Sequence, residues 1–228
     1  MVGLSKIQED VRIVLDHNEV QESVFTSADV EDQLQLDDII ENQVEAGVRL
    51  TLQMSPRNYI KWEVLTAGTG AAGVGYYAVP IPQDFVRFGA AKMTDWAKSV
   101  DTYGSVADEE YTMQQSEFAG VRATRRKPMA FLCEKPAGGN EMQLYPLKTG
   151  GDELQFFTYC KQQKLTENST THAMELDISD TLYQPFIYIT AALVAEVLKD
   201  TEKSNELMSG AKMMLTIPEE AVVQPASE

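Results

Sequence analysis

The chain has 228 residues, with 19 Lys and Arg against 35 Asp and Glu, for a formal net charge of −16. A protein that holds nucleic acid needs a basic surface to displace counterions from phosphates, and a pI near 4.5 works against that role. With 43% apolar and 24% charged residues, the composition is that of a folded globular chain rather than an acidic disordered one.

The longest apolar stretch, 185–198, includes Glu196 and falls short of the roughly 20 residues that a membrane-spanning helix needs. The first ten residues carry Lys6, Glu9 and Asp10 and read as no secretory signal. Cys133 and Cys160 are the only cysteines. Two are too few for a disulfide scaffold, so they read as free thiols of a protein made in a reducing cytoplasm.

In chain order, Leu4, Ile7, Val11, Val14 and Leu15 recur at helical spacing and predict a first helix from Leu4 to about Asp16. A second helix is expected from about Val30 to Met54, stopped by Ser55-Pro56. Leu36, Ile39, Ile40, Gln43, Gly47, Leu50 and Met54 fall on one side of it, and Glu31, Asp38, Glu41 and Glu45 on the opposite side. Val48 and Leu52 lie off that stripe, which suggests packing on two sides. Residues 67–75, rich in glycine, read as a loop, and Pro80 and Pro82 introduce a segment from Asp84 to Trp96 that reads as a strand.

Pro128–Glu134, Met142–Leu147 and Leu154–Cys160 are short apolar and aromatic runs separated by Pro136, Gly138, Gly139 and Asn140, and then by Gly150, Gly151 and Asp152. Those separators are turn residues, so the three runs read as an antiparallel meander. Leu182, Phe186, Ile189, Leu193 and Val197 form one helical stripe, expected to begin near Pro185 after a tight turn at Asp180–Gln184. A last helix, about Thr201–Leu215, is expected to bury Leu207, Ala211 and Met214, and Thr216–Glu228 reads as an extended acidic tail.

The expected fold class is therefore α+β, a mainly helical body with an inserted small antiparallel sheet. The expected parts are 1–79 (helical, with the Gly-rich loop), 80–165 (β-rich), 166–215 (helical) and the tail 216–228, the helical parts together forming one domain.

Chemistry is sparse. Gly68, Gly70 and Gly73 spell G-x-G-x-x-G, but a dinucleotide cradle needs a helix after the glycines, and two prolines stand there instead. Cys133, Cys160, His17 and His172 lack the close spacing of zinc ligands. Pairs such as Asp37-Asp38 and Glu109-Glu110 are too common among 35 acids to mark an acid–base couple. No catalytic residue, cofactor or metal is expected, and the chain reads as no enzyme; a nucleotide-dependent soluble enzyme using the glycine loop is the rival of a different class. Residues 122–136 hold five basic residues and one acidic. Arg122, Arg125, Arg126 and Lys127 form an island that suits an acidic protein neighbour or, alternatively, a solvated turn.

The run Val79-Pro80-Ile81-Pro82-Gln83-Asp84-Phe85-Val86-Arg87-Phe88, followed by Trp96, resembles the L-P-x-D-F-x-R-L … W segment of head–tail connector (adaptor or ring) proteins of tailed bacteriophages, crAss-like ones included. Glu110-Tyr111 with Gln114-Gln115, Arg126-Lys127-Pro128, Leu144-Tyr145-Pro146 and the helix 191–198 resemble further blocks of those proteins. Val79 and Ile81 depart from the commoner leucine.

The resemblance implies a structural virion protein of the phage neck, assembled in the host cytoplasm. It implies a ring, typically of twelve copies, that joins portal to tail and continues the DNA channel without binding the DNA specifically. Another head-completion or tail protein is the near alternative. In such a ring Asp38, Glu41 and Glu45 would be candidate channel-facing acids, or else a solvated helix face, and the basic island a candidate contact between subunits.

Overall fold

The computed structural model describes residues 1–15, 27–66, 69–135, 138–147 and 153–216, with the backbone alone for 27–34. The tail after Thr216, together with His17, Gly68, Pro136, Gly150, Gly151 and Asp152, lies outside the described residues. The elements run β1 (Val2–Gly3), α1 (Leu4–Val14), α2 (Ser27–Met54), β2 (Trp62–Leu65), β3 (Ala71–Ala72), β4 (Tyr77–Pro80), β5 (Phe85–Met93), β6 (Gly104–Ser105), α3 (Glu109–Gln114), β7 (Met129–Glu134), β8 (Asn140–Tyr145), β9 (Leu154–Lys161), β10 (Thr166–Glu167), β11 (Met174–Leu176), α4 (Asp180–Val197) and α5 (Thr201–Leu215). The α+β class expected from sequence is what is found. The chain forms two units, Met1–Ile60 with Gln162–Glu228, and Lys61–Lys161. Residues 61–79, grouped on sequence with the N-terminal helices, belong to the second.

In the first unit α4 packs against α1, α2 and α5. Its middle, Pro185–Ala195, is buried at every position but Tyr188 and Leu193, which are half-buried. Covering side chains such as Phe186, Ile187 and Ile189, each at most 1% exposed, stabilises the unit by about 1.5–3 kcal/mol apiece. The helix begins at Asp180 and contains Pro185, so the tight turn expected at Asp180–Gln184 is instead its first turn. Proline has no N–H to give to the Thr181 carbonyl, and Thr181 is exposed, where water serves instead.

α2 corrects a finer expectation. Its inner stripe is Ile40, Val44, Gly47, Val48, Thr51, Leu52 and Ser55, all buried, whereas Leu36, Ile39, Gln43, Leu50 and Met54 are only half-buried. The buried direction is thus rotated by about a quarter turn from the one the apolar count suggested. Val44, Thr51 and Ser55 lie at its centre, with Val48 beside them and Leu52 at one edge, and Asp38, Glu41 and Glu45 border the stripe rather than oppose it. An apolar count passes over Thr51 and Ser55, which are buried because their hydroxyls donate to Gly47 O at 2.7 Å and Thr51 O at 2.6 Å. Gly47, common to both stripes, permits close approach, since a Cβ there would stand 2.2 Å from Thr190 Oγ1 on α4.

Polar ties fix α1. Arg12 pairs with Asp37 on α2, and Tyr183 on α4 donates to Asp10 Oδ2 at 2.6 Å. α4 ends in a Schellman turn, with Asp200 N–H donating to Ala195 O at 2.9 Å, Lys199 N–H to Glu196 O at 3.0 Å and Lys199 at φ 65°. Asp200 then caps α5 by accepting from Lys203 N at 3.0 Å. α5 buries Leu207, Ala211 and Leu215; Met214, expected in that role, is half-buried.

The second unit holds two sheets, β2-β9-β5 and β3-β4-β8-β7-β6, and the third sheet, β1-β11-β10, belongs to the first unit. β7 and β8 pair as expected, but Leu154–Lys161 pairs with β2 and β5, so the three runs form no meander. β6 joins β7 in parallel. The segment from Asp84 is a strand, as its alternation suggested, with register shifts on either side of Gly89. Phe88, Met93 and Phe157 from one sheet and Val79, Met142 and Leu144 from the other share a core with Trp96. The quoted proline-and-aromatic motif thus feeds the core in part: Val79, Val86, Phe88 and Trp96 are buried, and Trp96 Nε1 donates to Pro146 O at 3.0 Å.

Two variants test the helical unit. Gly47→Ala should lower stability by about 1–3 kcal/mol, and adding Thr190→Ala should recover much of it, as measured in a denaturant double-mutant cycle; additive losses would deny the contact. Lys199→Gly should raise the melting temperature, since a non-glycine residue at positive φ costs about 1–2 kcal/mol, part of it offset by the freer unfolded chain.

Candidate functional site

In β7 and β8 apolar residues follow one another without strict alternation, so both faces are covered. Ala130, Met142 and Leu144 face the core between the sheets. Phe131, Cys133 and Tyr145 form a second cluster with Ala123, against which Tyr76, Tyr111 and Met129 pack. Phe131 meets Tyr111 and Tyr145 edge-on, with ring centroids 5.3 and 5.8 Å away, a favourable geometry for aromatic quadrupoles.

Above this cluster lies a groove of about 550 Å³, whose lining includes Val74, Tyr76, Tyr111, Gln115, Arg122, Gln143, Tyr145 and Leu147. Its floor is a polar network. Gln143 Oε1 accepts from Tyr145 Oη at 2.9 Å and Tyr111 Oη at 3.3 Å, while Gln143 Nε2 donates to Glu141 Oε1 at 2.8 Å. Lys135 Nζ lies 3.5 Å from Glu141 Oε2. On the wall, buried Gln114 accepts from Ala123 N at 2.7 Å and donates to Glu110 O at 2.8 Å. Burial, joined by the charges of Tyr111 and Cys133, holds the Tyr145 phenol well above its ordinary range, and burial raises Tyr111 as well. Both therefore act as neutral donors at neutral pH, and the groove offers hydroxyls, amides, aromatic faces and one guanidinium.

The basic island divides here. Arg122 lines the groove and its Nε donates to Ser116 O. Arg125 pairs with Asp95. Thr124 and Lys127 close a turn through reciprocal backbone bonds of 3.1 and 2.9 Å, leaving Arg126 and Lys127 exposed. Asp38, Glu41 and Glu45 are exposed on α2 in the first unit.

The two described glycines of the motif, Gly70 and Gly73, lie in a hairpin. A Cβ on Gly70 would stand 2.3 Å from Ala78 O, and one on Gly73 would stand 2.5 Å from the Tyr76 ring. β3 and β4 pair across it. A strand therefore stands where a phosphate-binding helix would have to begin. Cys133 and Cys160 lie buried in β7 and β9; burial pushes the Cys160 thiol up to about 11. His172 sits exposed beside Glu167, 2.8 Å from its carboxylate. Among the described residues no group of three or more His, Cys, Asp or Glu side chains is placed to hold a metal ion, and no helix is long and apolar enough to cross a membrane.

The groove was not legible from composition or periodicity, because its residues are scattered over four segments. Its one sequence signal lay in the quoted blocks: Tyr111, Gln114, Gln115, Tyr145 and Pro146 come together in its lining.

Gln143→Leu should lower stability by about 1–3 kcal/mol, since it strands two hydroxyls, whereas Tyr145→Phe should lose only about 0.5–1.5 kcal/mol. The raised phenol fixes the sign of the pH effect. Its stabilising contribution is complete below the unfolded value of 10.0 and is lost as pH rises towards the folded one. Denaturation midpoints should therefore fall above pH 10.0, and less steeply in Tyr145→Phe.

A comparison with the curated proteins finds none that matches. A family model described as SU10 adaptor protein matches residues 4–216, a range that runs through both units. The match agrees with the connector resemblance at the level of the adaptor family without selecting the crAss-like type. A head–tail adaptor is a structural part of a phage particle, and the chain belongs to the SU10 adaptor family of phage proteins.

Proposed function

We propose that the protein assembles as a ring, of twelve copies, in the neck of a tailed phage of the crAss-like kind, where it joins portal to tail and continues the DNA channel. The observation that carries this reading is the family match over residues 4–216. Two features of the fold support it. The helical unit, braced around α4, leaves one face of α2 exposed with Asp38, Glu41 and Glu45 along its border. A like-charged lining repels a duplex and lets it slide, which suits passage without specific binding. The exposed Arg126 and Lys127 suit contacts with acidic faces of other copies in a chain of net charge −16. A heterologous interface of this kind closes into a ring when the rotation per copy divides a full turn.

Mixing the purified protein with portal rings should give a stacked double ring in light scattering and cryo-EM. Replacing Asp38, Glu41 and Glu45 together by Lys should leave the ring intact and slow DNA ejection from reconstituted particles several-fold. Rings with these acids on the outer surface would remove the channel role. Particles in which the protein sits away from the portal–tail joint would favour a head-completion or tail role instead.

A further inference from the structure

The groove on the strand-bearing unit carries features of a site for an extended peptide. Tyrosine rings and Leu147 supply apolar walls, and exposed Gln115 supplies an amide that can pair with a bound backbone. Arg122 is the one charged side chain of the lining among the described residues. Its Nε donates to Ser116 O, and a guanidinium has further donors suited to a carboxylate. Just past Ala123, the turn Thr124–Lys127 adds exposed Arg126 and Lys127. Val74, also in the lining, is 97% exposed.

The chain itself contains a segment of matching chemistry. Residues 217–228, Ile-Pro-Glu-Glu-Ala-Val-Val-Gln-Pro-Ala-Ser-Glu, combine three acids, no basic residue, two prolines and a central Ala-Val-Val. Prolines favour the extended form that aromatic-lined grooves accept at low entropic cost, and the acids complement Arg122, Arg126 and Lys127.

We propose that the groove between Tyr76, Tyr111, Tyr145 and Arg122 is the docking site for segment 217–228 of a second copy of this chain. The valines lie against the tyrosines, and Glu219 and Glu220 reach the basic residues. The inference rests on copies meeting one another, as in the ring reading. Its test is separate, because it uses a peptide in place of an assembled neighbour.

An isotope-labelled full-length chain would be titrated with excess synthetic peptide of sequence 217–228, following the amide and tyrosine signals by NMR. Saturable shifts centred on Tyr76, Tyr111, Gln115 and Arg122 are expected, weakening as salt is raised. Arg122→Glu and, as a variant on an exposed turn that leaves the core untouched, Arg126→Glu should each weaken binding about tenfold. A peptide carrying Glu220→Arg should bind the Arg122→Glu protein better than the parent peptide does. Absence of saturable shifts, shifts centred outside the groove, or affinity indifferent to both charge reversals would overturn the proposal. A portal-bound ring would still stand in that case, since ring formation is read from particle size.

Discussion

A segment that is apolar on every side must be covered on every side, and both units are organised around one. In the helical unit it is α4, buried around nearly its whole circumference from Pro185 to Ala195. In the strand unit it is the β7–β8 pair, with one face in the shared core and the other in the tyrosine cluster. The hydrophobic effect has no direction, but a helix or strand pair that is apolar all round leaves its neighbours little choice. α1, α2 and α5 have to surround α4, and β7–β8 has to find both a second sheet and an aromatic lid. The groove follows from the lid. Tyr76, Tyr111 and Tyr145 cover Phe131 and Cys133 with their rings, and Tyr111 and Tyr145 turn hydroxyls to Gln143, so one set of side chains closes a core and builds a polar floor.

Where chains approach closely, small residues and not large ones set the geometry. Gly47 admits Thr190, and Gly89 admits the Trp62 ring and Thr158, whose hydroxyl bonds Ala90 N at 2.7 Å. Gly70 and Gly73 admit a strand and a tyrosine ring. Two glycines of a motif that spells a phosphate loop on paper here serve a tight hairpin, because the same freedom from a Cβ serves any close approach. The basic island divides by the same logic of local demand. Arg122 and Arg125 bond Ser116 O and Asp95, which ties loops down, while Arg126 and Lys127 stay exposed. What read as one patch holds two kinds of residue.

Periodicity and turn chemistry determined much by themselves. The helices at both ends, the strand from Phe85 and the hairpin of β7 and β8 all rest on nearest-neighbour spacing, which a linear pattern records directly. The adaptor family was legible in short blocks whose buried members, Val79, Phe88 and Trp96, are core residues under strong packing constraint.

Tertiary structure alone decided the rest. The partner of β9 lies in β2 and β5 rather than β8, since strand pairing at a distance in sequence depends on which faces the whole unit has to cover. The inward face of α2 turned by about a quarter turn because Thr51 and Ser55, which an apolar count passes over, are buried with their hydroxyls bonded to carbonyls one turn back. The tyrosine groove assembles residues from four segments, and no one-dimensional spacing encodes such a meeting. The charge of −16 was fixed by composition and argued at once against a nucleic-acid binder. Its placement, with acids bordering the buried stripe of α2 and Arg126 and Lys127 on an exposed turn, needed the fold, because burial decides which charges are left for a neighbour to meet.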